Sequence, residues 1–390
     1  MTKRNDAAAV AAELLKQTGP GDVVARLEAA RAEARLLRAD LRNTRAELGR
    51  ALEVGDLIRD AARAMSPPTA YPKPGKGKVK PSVALLSLVS DLQTGEHTEP
   101  KETDGWGRFN YAIADARMAR LSERSLRYVD IQRSGYRIDE CHVFLLGDMV
   151  SGDIHEELLR TNEVPPPVQA ILAGRLVARH VSAMAGSFPR VVAHTIGGSN
   201  HSRLTKKYQF KGGTLNSYDY VAYQHAEALT TNYSNVAWKH YASKKPLVHI
   251  GRFGFLCAHG DHIRAWMGVP WYGMERDLGR EARRRMQKIV EQLRRELPVT
   301  EGFDYGIGAH WHTPFVGPSF SYIVNGSLTG TTELDHTVGR HAPPQQVTAM
   351  LSQKHGWFAP TAWRLDDDGE AKLMADNAMD SVLGSMEANV

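Results

Sequence analysis

Ser82-Val-Ala-Leu-Leu-Ser-Leu-Val-Ser90 runs directly into Asp91-Leu-Gln93. A nearly continuous apolar run of this length reads as a strand buried on both faces, and it ends in an acid. An apolar run that ends in polar groups recurs four times. Cys141-His-Val-Phe-Leu-Leu146 leads into Gly147-Asp148, and Arg190-Val-Val-Ala-His-Thr-Ile196 into Gly197-Gly-Ser-Asn200-His201. Phe253-Gly-Phe-Leu-Cys-Ala258 leads into His259-Gly-Asp261, and Tyr305-Gly-Ile-Gly308 into Ala309-His310-Trp-His312. Five predicted strands therefore deliver carboxylates, a carboxamide and imidazoles at the same relative position. Helical patterns over about 109–132 and 168–185 separate the first three strands, which predicts βαβ units and a partly parallel sheet. In such a sheet the loops past the carboxyl ends of the strands form the binding crevice.

Oxygen and imidazole donors converging at strand ends suit a pair of first-row divalent metals, and the chemistry they support is metal-assisted hydrolysis. The order D-x-[H/Q], G-D, G-N-H, H, G-H-x-H, spread over residues 81–366, resembles the calcineurin-like metallophosphoesterases. That resemblance implies an α/β fold, a metallophosphoesterase-type β-sandwich flanked by helices, with two divalent metals about 3.5–4 Å apart sharing a carboxylate. Carried over by motif, Asp91, Gln93, Asp148 and His312 would hold one metal, and Asp148, Asn200, His259 and His310 the other. Asp148 is then the bridge. His201 would stay off the metals and stabilise the transition state or protonate the leaving oxygen. Manganese is the expected metal, with zinc or iron as alternatives.

Three positions depart from the family pattern. Gln93 stands where many members place a histidine, and a carboxamide oxygen is the weaker ligand. Ser199 separates Gly198 from Asn200, and Ser202 follows His201 where an acid is usual. After Asp148 the nearest acid is Asp153, the candidate for an orienting role behind the metals. Taken singly, each motif also has a plain structural reading: Gly-Asp after a strand makes a turn, and His-x-His is two surface or core histidines. Their ordered coincidence favours the two-metal reading.

The substrate is read from the residues after His201. Arg203, Lys206, Lys207 and Lys211 interleave with Tyr208 and Phe210, and Tyr218, Tyr220 and Tyr223 follow. Cations for phosphates beside aromatics for bases is the composition of a nucleic-acid surface. A second basic cluster, Arg280, Arg283, Arg284 and Lys288, lies on a predicted helix over 273–297 with the apolar line Met274, Leu278, Ala282, Met286, Ile289 and Leu293. Glu275, Asp277, Glu281 and Glu291 offset that charge, so a solvated face is the competing reading. The expected activity is phosphodiester hydrolysis, with DNA as partner. The pattern is most similar to phage- or prophage-encoded family members and to the nuclease subunit of DNA-break-repair complexes. An enzyme acting on a small phosphate ester or cyclic nucleotide is the alternative, and a DNA-binding or assembly scaffold with vestigial metals is a third.

Residues 1–65 have a different character. Val23, Leu27, Ala30, Ala34, Leu37, Leu41, Thr44, Leu48, Ala51, Gly55 and Ile58 keep an unbroken 4-3 spacing among Arg and Glu, which predicts a coiled-coil arm and a homo-oligomer. A helix lying against the catalytic domain is the alternative. Residues 66–80 are rich in Pro, Gly and Lys and read as a basic linker, and 367–390 as a tail. The 390-residue chain has a formal net charge of +5 and is long enough for a large core. It shows no apolar stretch of membrane-spanning length and no apolar signal core, so no membrane partner and a cytoplasmic site, the host's if phage-encoded, are expected. Both cysteines, Cys141 and Cys257, fall in predicted buried strands as small apolar residues.

Overall fold

A computed structural model describes residues 80–266 and 268–375, together with residues 24, 28, 31–32 and 35–41. The chain divides into two units, Met1–Asp60 and Ala61–Val390. In the first, the described residues are helical, and the seam positions Leu37 and Leu41 are solvent-exposed. The remaining seam positions lie outside the described residues, as do linker residues 66–79 and tail residues 376–390.

The second unit is built on two mixed sheets. In the first sheet the order is β11-β10-β1-β2-β3-β4. Here β1 (Ser82–Val89), β2 (Arg137–Leu145), β3 (Arg190–Thr195) and β4 (Val236–His240) run parallel. The antiparallel edge is β10 (Gln345–Ser352) and β11 (Gly356–Arg364). In the second sheet the order is β5-β6-β7-β9-β8. Its parallel centre is β6 (Phe253–Cys257), β7 (Tyr305–Gly308) and β9 (Tyr322–Val324), edged by β5 (Leu247–Ile250) and β8 (Phe315–Val316).

The continuous apolar character of β1 follows from its position. Ala84, Leu86 and Leu88 point to the second sheet and pack with Val248, Phe255, Ile307 and Ile323. Val83, Leu85 and Val89 point the other way, to α1 (Tyr111–Gln132), α3 (Pro166–Ala185) and α4 (Tyr218–Leu229). Both faces of the strand are therefore in a core, as parallel sheets require. Leu86 is fully buried, so Leu86→Ala would cost about 2–5 kcal/mol. The helices start where the sequence offers caps: the Asn110 side chain accepts the Ile113 N–H at α1, and Ser217 accepts from Tyr220 at α4. The short α2 (Glu156–Thr161) precedes α3, whose first turn carries Pro166.

The outer face of the second sheet is covered by α5 (Trp271–Arg294), through Ile263, Met274, Trp311, Tyr322 and Val324. The expected apolar line on this helix is buried only at its start. Met274 is 3% exposed, whereas Met286 is 54% and Leu293 60% exposed. The reason is length: at 24 residues α5 reaches about 36 Å, whereas β7 and β9, with four and three residues, offer little more than about 13 Å to cover. The architecture is thus helices, sheet, sheet, helix, the α/β sandwich with flanking helices expected from the sequence. Among the described residues, no helix is long and apolar enough to cross a membrane. Cys141 and Cys257 are free and buried.

Candidate active site

The loops that leave β1, β2, β3, β6 and β7 at their carboxyl ends meet at one place. Backbone hydrogen bonds join the first two: Asp91 N–H donates to Gly147 O and Gln93 N–H to Asp148 O, both at 3.1 Å. Gly147 needs to be glycine, since its φ is +92° and a Cβ there would stand 2.8 Å from the Ser199 Cβ. Its N–H is held by the Tyr223 hydroxyl at 3.1 Å, and that hydroxyl donates to Ile196 O at 3.0 Å.

Asp148 lies at the centre. Its Oδ1 accepts the His201 N–H at 3.0 Å, and its Oδ2 is 3.0 Å from His259 Nε2 and 3.3 Å from Gln93 Nε2. His259 donates from Nδ1 to Leu146 O at 2.9 Å, which aims Nε2 inward, 3.1 Å from Asn200 Oδ1. Ligand atoms of Asp148, His259 and His310 all lie within 4.8 Å of one another. On the other side, His310 N–H donates to Asp91 Oδ2 at 3.3 Å, and His312 Nε2 is 3.6 Å from Asp91 Oδ1. All seven ligand candidates are therefore brought together, with His201 at their edge. His201 donates from Nδ1 to Ser151 O at 2.8 Å.

Two features fit this pocket to cations. Asp91 Oδ1 and Gln93 Oε1 are buried yet accept no hydrogen bond from the described residues, a cost that a bound metal would remove. The electrostatics agree. Burial disfavours a charged His259 ring, but Asp148 outweighs it and raises the pKa to about 10. Burial likewise opposes charge on His312, and the Asp335 hydrogen bond outweighs it, raising that ring to about 9. Burial raises Asp91, whereas Asp148 is lowered because His259 and His201 overcome the same penalty. The carboxylates thus favour positive charge on the His259 and His312 rings, the place a divalent cation would take, whereas burial and then the His259 charge lower His310 to about 3.

Several supporting residues were not singled out from the sequence. The Asp219 carboxylate, fully buried at the start of α4, accepts Met149 N–H at 3.0 Å and the Ser199 hydroxyl at 2.6 Å. Asp335, in α6 (Glu333–Thr337), contacts His312 Nδ1 at 3.3 Å and forms a capping box with Thr332. The capping box was visible as Thr-x-x-Asp; nothing local marks Asp219 beyond the preceding cap Ser217. Among the described residues no hydrogen bond joins Asp153 to the cluster, whereas Asp219 and Asp335 are bonded to the loops that carry it.

The proposed substrate residues share the segment after β3 but differ in their contacts. Arg203 donates from Nε to Asn200 O at 3.1 Å; Lys207 and Lys211 are exposed, and Lys206 pairs with Glu156 at 3.2 Å in an exposed contact of small energetic weight. Tyr223 does not belong with them: it is 1% exposed and serves the core, because α4 turns that face to the sheet. On α5, Arg284 pairs with Glu281 and Lys288 with Glu301, which agrees with a solvated face at those two positions. A cavity of about 240 Å³ beside the cluster is lined by Gly197, Gly198, Tyr208, Lys244, Lys245, His259, Asp261 and His262. A larger one, about 610 Å³, is walled by Trp106, Arg117, His341 and Glu370 among others and contains none of the ligand candidates.

No family model matches the sequence, and no curated protein matches it. Among solved structures, the chain is similar to the Thermus thermophilus sulfate thiohydrolase SoxB in complex with glycerol, at 10% identity with a TM-score of 0.30. The match covers 82% of this chain and 62% of that chain, so the chain spans less than two thirds of that protein's length.

Proposed function

We propose that this chain is a two-metal phosphoesterase of the calcineurin-like kind that hydrolyses phosphodiester bonds, with DNA as its substrate. The observation that carries the reading is backbone conformation: Asp91, Gln93, Asp148, His310 and His312 all have φ between 46° and 84°. Left-handed backbone at a residue other than glycine costs about 1–3 kcal/mol. Ten described non-glycine residues have positive φ; Asp104, Glu296, Ser319, Phe320 and Ala359 are not ligand candidates, but the gathering of the other five around one point, each a metal-ligand type, supports a backbone shaped for coordination. The two orphaned oxygens of Asp91 and Gln93 support the same conclusion.

Asp91, Gln93, Asp148 and His312 would hold one ion, and Asp148, Asn200, His259 and His310 the other. Bound divalent ions would supply Lewis-acid polarisation of a phosphoryl oxygen. The chain's own groups do the rest. His201, fixed through Nδ1 on the Ser151 carbonyl, presents Nε2 to protonate the leaving oxygen. Asp148 orients His201 through its main-chain N–H and His259 through its ring. The exposed cations Lys207 and Lys211 support a polyanionic substrate.

The test is Asp148→Asn, assayed with saturating manganese on a chromogenic phosphodiester and on a DNA oligonucleotide. Turnover of both is abolished while circular dichroism stays that of the wild type, because a neutral amide cannot replace the shared anion. Near-wild-type turnover by the variant sinks the two-metal assignment. Wild-type protein that hydrolyses the small diester but no DNA in any divalent metal sinks the nuclease part alone.

A further inference from the structure

We propose that the 203–211 loop grips an unpaired nucleotide beside the candidate metal cluster, its base stacked on Phe210 and its phosphate on the Lys244 ammonium. The inference rests on the phosphoesterase reading and extends it by naming single-stranded nucleic acid, or an unpaired end, as the substrate class. Phe210 is 90% exposed, an unusual state for an apolar ring. Its ring contact is Tyr208, edge to face with centroids 4.9 Å apart, which leaves at least one of its faces open.

Tyr208 is in turn held by two cations. The Lys244 ammonium lies 4.5 Å from the ring centroid and donates to the Tyr208 hydroxyl at 3.0 Å. The Arg203 guanidinium lies 5.6 Å from the same centroid and is anchored on the carbonyl of Asn200, a ligand candidate. The aromatic pair is thus tied directly to the loop that serves the cluster. The 240 Å³ cavity is lined both by Tyr208 and Lys244 and by His259 and Asp261. Lys244 enters over two glycines: a Cβ on Gly198 or Gly213 would come within 3.1 or 2.9 Å of its Cε. The neighbouring Lys245 is unlike it, being bound by Asp277 at 2.6 Å.

Every nucleobase has a π face, but inside a duplex both faces are covered by neighbouring bases, and only the terminal pair of a blunt end keeps one open. Along a strand, a base can be turned onto Phe210 only where it is unpaired. The phosphate of the same nucleotide then meets a lysine held by an aromatic ring, with the reacting phosphate lying toward His259.

Fluorescence anisotropy in EDTA, over a salt series, with a labelled single-stranded oligodeoxynucleotide and the blunt duplex of the same sequence tests this. Phe210→Ala weakens single-strand binding by roughly tenfold and duplex binding far less, so the preference narrows. Lys244→Ala weakens single-strand binding and lowers its salt slope by about one. Equal losses on the two substrates, or no loss, overturn the proposal. So does Phe210→Leu with wild-type affinity, which would make the contact hydrophobic rather than stacked. Because binding is read without metal, the two readings separate. A protein that binds single strands through Phe210 but hydrolyses no diester with manganese keeps the grip and loses the phosphoesterase reading; diester turnover without dependence of binding on Phe210 does the reverse.

Discussion

Ser199 donates its hydroxyl hydrogen to the buried carboxylate of Asp219 at 2.6 Å, and the same oxygen accepts the Asp148 N–H at 2.8 Å. Ser199, which separates Gly198 from Asn200, is therefore the link between the central carboxylate and α4. Asp219 extends the link by accepting Met149 N–H, so one side chain fixes the loops carrying Asp148 and Asn200.

Asp219→Asn is expected to weaken manganese affinity by about 10–100-fold, the usual cost of losing a group that orients metal ligands. Titration calorimetry reads the affinity. Turnover recovered at saturating manganese would place the loss in metal binding; unchanged affinity would mean that Asp219 serves folding alone.

Asp335→Asn acts on the other side of the cluster. The amide can still accept the capping bonds from Thr332, but it no longer orients His312 as an anion. One equivalent of manganese is expected to bind about tenfold more weakly while the other is retained. Manganese titration followed by paramagnetic resonance distinguishes the two equivalents, and equal weakening of both would count against separate assignments.

Stability should fall in mild acid for reasons outside the site. His180 is buried between the Ser87 hydroxyl at 3.0 Å and the Ser122 hydroxyl at 2.8 Å, and burial lowers its pKa to about 4. Burial lowers His194 to about 3. The unfolded chain takes up these protons near pH 6.5 while the folded chain refuses them, so their stabilising effect is full above that pH and is lost as pH falls toward 4. Urea unfolding in EDTA at pH 7 and pH 5 should show a smaller drop for His180→Gln than for the wild type. An identical drop would assign the acid sensitivity to other groups.

The 4-3 spacing over 23–58 predicts self-association of the full chain, with a chain beginning at Ser66 reduced to a monomer. Light scattering on both decides it. Equal oligomeric mass would point to a helix that packs on its own catalytic unit or to an interface elsewhere.

The strands and candidate ligand positions were readable in the sequence because burial on both faces leaves the parallel strands mostly apolar until they end. Asp91, Asp148, Asn200, His259 and His310 therefore stand out at the ends of apolar runs. What supports them was not readable, because it acts across the chain. Ser199 reaches Asp148 over 51 residues and Asp219 reaches Met149 over 70, whereas local patterns carry only near neighbours. Tyr223 had the composition of a binding surface until α4 turned it into the core. The apolar line on α5 promised burial to Leu293, but burial required a facing sheet, and β7 and β9 end too soon. Sequence by itself determined which candidate ligands stand at strand ends and their order along the chain, since both follow from local periodicity. Tertiary structure alone decided their convergence on Asp148 and the pairing of Tyr208 with Phe210 and Lys244, since these depend on distances between elements that no local pattern encodes.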